Sequence, residues 1–199
     1  MNSDYIVITN EYFELLINKD NVDFGNKVLE YSTNKIKEYL EFFNEKSYGK
    51  KIKAAYLNTR EDFLARIKEV KKEEDGMPPE WASGCFYGDE VQILVKDDIN
   101  KCFHVLVHET FHLLFGKFVY NKHGFNRIMW LDEALAGNFD DTTKKLIDNG
   151  YFKKMIIKYK DNKNLPIMSN FSFNNGVFNT KNYDGYDLVK IIGRYLIET

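Results

Sequence analysis

The chain has 199 residues, 44% of them hydrophobic and 16% aromatic, which suits one well-buried domain and excludes disorder over most of its length. Its 28 Lys and Arg stand against 30 Asp and Glu, a net charge of -2, so there is no cationic excess for a phosphate backbone and no nucleic-acid partner is expected. Cys85 and Cys102 are too few for a disulfide scaffold, no apolar run approaches the roughly 20 residues that span a bilayer, and no signal segment is visible; the expectation is a cytoplasmic protein with free thiols and no membrane contact.

Tyr5 to Thr9 is short and β-branched and reads as a strand; Tyr12 to Ile17 reads as a second strand, with a helical turn as the alternative. From Asp23, the apolar residues Phe24, Val28, Ile36, Tyr39, Leu40 and Phe43 recur at helical spacing, and Ser47-Tyr48-Gly49-Lys50 closes this long amphipathic helix. Lys51 to Leu57 alternates as a strand does, and Thr59-Arg60-Glu61-Asp62 supplies a helix cap before Phe63, Ile67 and Val70. The charged run Glu69 to Asp75 and Gly76-Met77-Pro78-Pro79 form a loop. Cys85-Phe86-Tyr87 and Val91 to Val95 read as a hairpin around Gly88-Asp89.

Asp97 or Asp98 caps a helix from about Ile99 to Phe118, whose stripe Phe103, Val107, Phe111, Leu114 and Phe118 marks a core helix. After a loop from Tyr120 to Arg127, helices are expected over Trp130 to Gly137, Lys144 to Lys160 and Asp184 to Ile197, with Asp161 to Lys181 as loop. Strands and helices mix in the first half and helices alone fill the second. The expectation is a single α+β domain over 1–199, with an α/β part to about residue 119 and a helical part from about 120.

One segment carries chemistry above the rest: His108-Glu109-Thr110-Phe111-His112, placed within a predicted helix. Positions four apart share a helix face, so two imidazoles reach one metal ion while the adjacent glutamate sits beside the remaining coordination position. A zinc ion with three protein ligands keeps its fourth site for water and lowers that water's pKa to about 7, and a glutamate then takes its proton as it attacks a carbonyl. His108 and His112 are the candidate ligands, Glu109 the candidate base, and one zinc per chain the expected cofactor. A two-histidine site needs a third ligand, and Glu133, on the acidic helix Trp130-Leu131-Asp132-Glu133-Ala134-Leu135-Ala136, is the candidate.

These two segments together resemble the gluzincin metallopeptidases, specifically the bacterial peptidase MA-like domains. Pro79-Glu80-Trp81-Ala82-Ser83-Gly84 is similar to the family's segment leading into the edge strand of the active-site sheet, and Leu165-Pro166-Ile167-Met168 and Tyr183-Asp184-Gly185-Tyr186-Asp187-Leu188-Val189 also have family counterparts. The resemblance implies a zincin-like fold: a small mixed sheet with an edge strand over the cleft, an active-site helix carrying the two histidines, and a helical C-terminal half. It implies further that Val91 to Val95 is the edge strand along which a peptide or protein substrate lies. A tyrosine at the start of the last helix, Tyr183 or Tyr186, would donate to the oxyanion, with Tyr186 preferred.

The chain also departs from the family. Several gluzincins have an aspartate four residues after the glutamate ligand, orienting one histidine; here that position is Gly137, leaving Asp132, Asp140 or Asp141 as alternatives. His123 is a rival oxyanion donor or third ligand, although the metzincin spacing is not met at Phe115 and Phe118. His104, one turn before His108, reads as structural, Cys102 as core, and Cys85, next to the expected edge strand, as a thiolate able in principle to cap a resting zinc, with nothing in its spacing to call for that. The expected function is a zinc metallopeptidase, an endopeptidase. The alternatives are a catalytically weak binding or regulatory module, against which the presence of Glu109 argues, and a zinc hydrolase of a non-peptide substrate.

Overall fold

The computed structural model describes residues 4–198 except 74, 81, 162, 164, 166–177 and 179–182; the described residues are mixed α+β, with five strands in one open sheet and seven α-helices. They fall into two compact units, 1–114 and 115–199.

The first unit holds β1 (Tyr5–Thr9), β2 (Phe13–Asn18), β3 (Ile52–Leu57), β4 (Gly84–Tyr87) and β5 (Glu90–Leu94), in the order β1-β2-β3-β5-β4. β2, β3 and β5 run parallel in the middle, and β1 and β4 pair antiparallel on the outside. The segment from Tyr12 to Ile17 is therefore strand, with Phe13, Leu15 and Ile17 fully buried at the period of two that a strand uses.

Both faces of the sheet are covered, as a parallel centre requires. α1 (Val22–Phe42) lies on one face, where Gly25 is so close that an added Cβ would come within 2.8 Å of Ile8 Cδ1, and Phe24 packs edge-on to Tyr56 at 5.6 Å. α2 (Arg60–Val70) covers the other, Phe63 and Ile67 packing with Ala55, Leu57 and Leu94. Thr59 caps α2 by accepting from the Asp62 amide at 3.1 Å.

The expected helix from Ile99 to Phe118 is three pieces: a 3-10 turn at Ile99–Cys102 capped by Asp98, α3 (Val105–Phe115), and a π-helical stretch at Gly116–Asn121. The apolar stripe survives this division, for Val107, Phe111 and Leu114 are buried. Tyr39 and Phe43 meet the Phe111 ring at 5.2 and 5.5 Å.

The hairpin around Gly88-Asp89 forms, but Val91 to Val95 is not the sheet edge. β5 is bonded to β3 on one side and β4 on the other, and Val95 N donates to Leu57 O at 2.8 Å. A strand paired on both sides has no free backbone groups for a peptide, so the expected substrate track along Val91 to Val95 is corrected: the edge strand is β4.

The second unit is helical, with α4 (Met129–Phe139), α5 (Thr142–Asp148), α6 (Tyr151–Tyr159) and α7 (Gly185–Glu198). The one helix expected over Lys144 to Lys160 is divided between α5 and α6, because Gly150 takes a φ of 71° that a right-handed helix does not accommodate. α7 lies against α4 so closely that a Cβ on Gly193 would stand 2.8 Å from Ala134 Cβ, and Met155, Tyr159, Phe178, Tyr183 and Val189 complete that core with Ala134. Most of the expected loop from Asp161 to Lys181, including Pro166, Ile167 and Met168, lies outside the described residues.

Glu90 in β5 has a side chain only 5% exposed, and Arg66 of α2 binds its two oxygens at 2.5 Å each. Truncating the cation leaves a buried carboxylate unpaired. Arg66→Ala is expected to lower stability by about 3 kcal/mol, read as a lower urea midpoint at unchanged slope. An unmoved midpoint would make the pair a bystander.

Candidate metal centre

The four-residue spacing of α3 stacks His108 and His112 on one side of the helix, beside the apolar stripe. Their Nε2 atoms lie 3.1 Å apart with the rings at 87°. Two ring nitrogens this close need a proton or a cation between them, because their lone pairs otherwise face each other. Two nitrogens held about 2.05 Å from a tetrahedral zinc stand roughly 3.3 Å apart, so the spacing fits a shared ion. The ligand atoms of His108, His112 and Glu133 all lie within 4.8 Å of one another. Two imidazoles and a carboxylate are a donor set that suits zinc and leaves a coordination position open. His112 is 3% exposed, whereas His108, Glu109 and Glu133 are half-buried.

Glu109 is fitted against the edge strand. A Cβ added to Gly84, the first residue of β4, would come 2.6 Å from Glu109 Oε1 and 2.7 Å from Val105 Cγ1, so only glycine lets the strand approach this closely. Arg60 fixes the segment before it, donating to Ala82 O at 2.9 Å and Pro79 O at 3.3 Å, and Leu94 N donates to Ser83 O at 2.8 Å. Trp81 in this segment lies outside the described residues. The Cys85 thiol next to Gly84 is pushed up to about 12 by burial, with the Glu109 charge adding to the effect.

On α4, Asp132 precedes Glu133 and is buried, its carboxylate accepting from Arg127 Nε at 2.5 Å. The Tyr120 hydroxyl accepts from Ile128 N at 3.1 Å and donates to Ile128 O at 3.3 Å, clamping the residue before the helix. Burial pushes the Tyr120 phenol up to about 12. Gly137, four residues after Glu133, cradles the Lys190 stem: a Cβ there would be 2.6 Å from Lys190 Cε. Of the alternatives, Asp132 adjoins Glu133, while Asp140 accepts from Thr142 N and Oγ1 at 2.8 and 2.6 Å and Asp141 takes a left-handed φ of 66° before α5.

Tyr183 is 7% exposed within the α4–α7 core, and Tyr186 is half-buried with its ring 4.9 Å from that of Phe178. His123 is exposed and stacked on Phe125 at 5.8 Å, outside the group of three ligand residues. His104 packs edge-on to Tyr31 at 5.3 Å and to Phe103 at 5.4 Å, an aromatic setting in keeping with a structural role. Sequence reasoning missed Gly84, Arg127 and the pairing of Gly137 with Lys190. The scarcity of arginine, found only at Arg60, Arg66, Arg127 and Arg194, was the one available signal for Arg127.

Gly84→Ala is expected to displace Glu109 or β4 and to lower stability by about 1 to 3 kcal/mol in urea unfolding, as overpacking does; parent-like stability would refute the tight fit. The raised Cys85 pKa favours the protonated thiol in the folded state, so this contribution is intact below the ordinary value near 9.0 and is lost as pH rises toward about 12. Alkylation of Cys85 by iodoacetamide at pH 8 should be far slower in the folded than in the urea-unfolded chain, and equal rates would contradict the shift.

No family model, no curated protein and no solved structure matches the chain, so the reading of this site rests on its own residues and geometry.

Proposed function

We propose that the protein is a zinc-dependent metallopeptidase in which His108, His112 and Glu133 hold one zinc ion and Glu109 is the general base. The observation that carries this reading is the 3.1 Å approach of the His108 and His112 Nε2 atoms on a helix that also presents Glu109. A zinc ion so held supplies Lewis-acid polarisation of a carbonyl and brings the pKa of a water to about 7.

Glu109 takes the proton of the attacking water and passes it to the leaving amine, which requires a carboxylate fixed in place; its packing on Gly84 supports that role. An extended substrate adds to the open edge of β4, whose first residue abuts Glu109. Tyr186 is the proposed oxyanion donor ahead of Tyr183, whose ring is committed to the apolar core.

Metal content by mass spectrometry, on protein purified without chelator, tests the ligand set. The parent and His123→Ala should carry about one zinc per chain, Glu133→Gln should carry less, and Glu109→Gln should keep its zinc while losing cleavage of a quenched-peptide panel. No zinc even after reconstitution would sink the proposal. Turnover of small esters without peptide cleavage would move the activity to a non-peptide substrate.

A further inference from the structure

We propose that Arg127 is a specificity-determining residue of this site, binding a carboxylate of the substrate beside the scissile bond through the outer edge of its guanidinium. The inference rests on the zinc peptidase reading and names the substrate class that reading leaves open.

The side chain is anchored from behind and open in front. Its Nε donates to Asp132, whose own side chain is 2% exposed, while the Arg127 side chain is 43% exposed. Among the described residues neither Nη of Arg127 has a hydrogen-bond partner. The other arginines differ. Arg60 spends both Nη atoms on the carbonyls of Ala82 and Pro79, Arg66 gives its nitrogens to Glu90 and Glu69, and Arg194 binds Glu198.

The backbone behind Arg127 is fixed as well, since Tyr120 holds both the N–H and the carbonyl of Ile128. Asp132 adjoins the ligand candidate Glu133 in α4, and the Glu133 charge acts on Arg127, which puts the guanidinium and the candidate ligand within electrostatic reach of each other. Burial opposes the charge of Arg127, but Asp132 and then Glu133 raise its pKa, so it is a permanent cation.

A counter-ion for Asp132 alone requires one charge, which a lysine supplies at Asp4, Glu38 and Asp89. A pre-oriented planar fork with two unspent in-plane donors matches the two oxygens of a carboxylate. That carboxylate is either the free C-terminus of a peptide or an acidic side chain flanking the cleaved bond.

The test uses the full chain loaded with zinc and a peptidyl hydroxamate, a zinc-seeking probe, made in four forms: C-terminal acid, C-terminal amide, and amides bearing Glu or Gln as the flanking residue. Calorimetry should show the acid or the Glu form binding about tenfold tighter than its neutral counterpart, and the arm that responds identifies the source of the carboxylate. Arg127→Lys, which keeps a charge on Asp132, should reduce the preference, and Arg127→Gln should abolish it. Arg127→Lys, which keeps the cation beside Asp132, should retain parent zinc content and parent affinity for the neutral amide, which a merely structural role would not leave untouched.

Equal binding of charged and neutral forms by the parent, or a preference surviving in Arg127→Gln, overturns the proposal while the metal site stands. A chain that takes up no zinc and binds no hydroxamate overturns this proposal and the peptidase reading together.

Discussion

With about 3.6 residues per turn, an α-helix brings side chains four apart onto one line, and in α3 this puts the His108 and His112 nitrogens 3.1 Å from each other. That approach holds only while the helix stays regular from Val105 to Phe115, and what keeps it regular is the buried stripe beside the histidines. Phe111 is packed among Tyr39 and Phe43, with Leu114 and Val107 buried above and below. The regular stretch ends where it is no longer needed, since the π-helical turn begins at Gly116, after the second histidine. Aromatic packing and the alignment of the two histidines are thus two faces of the same eleven residues.

The sheet contributes a second constraint through a missing side chain. β4 approaches α3 at Gly84, where a methyl group would meet both Glu109 and Val105. The carboxylate there sits against β4, which lies at one edge of the sheet among the described residues. Arg60 reaches from α2 to the carbonyls of Pro79 and Ala82 and sets the path by which the chain enters that strand. The open edge and the candidate base are placed together by contacts between residues 19 to 25 positions apart or more, which no local pattern encodes.

That separation explains what was readable in the sequence. His108, Glu109 and His112 were readable because helical periodicity places them from local information, and the first long helix, the Thr59 cap and the hairpin turn were readable for the same reason. The edge strand was misassigned because an apolar run such as Val91 to Leu94 shows burial without showing which neighbours cause it; complete burial here comes from pairing on both sides and cover on both faces. The break at Gly150 was missed because glycine permits a left-handed φ without requiring one. Gly84 carries no signature of its own and Arg127 only its rarity in a lysine-rich chain, and each acquires meaning only from a partner that folding brings to it.

Arg127 illustrates how one interaction serves two ends. Asp132 is buried at the start of α4, and a buried carboxylate without a cation would cost several kcal/mol, so a positive residue near this position has a structural reason to exist. The ion pair uses only Nε, and Tyr120 clamps the next residue, so the helix that carries Glu133 starts from a fixed point. Gly137, one turn after Glu133, meanwhile gives its space to the Lys190 stem, which a side chain there would have to displace. The helix that carries Glu133 is therefore anchored at its N-terminal end by Arg127 and Asp132, and because that ion pair uses only Nε, the anchoring leaves both Nη donors of the guanidinium without a partner among the described residues.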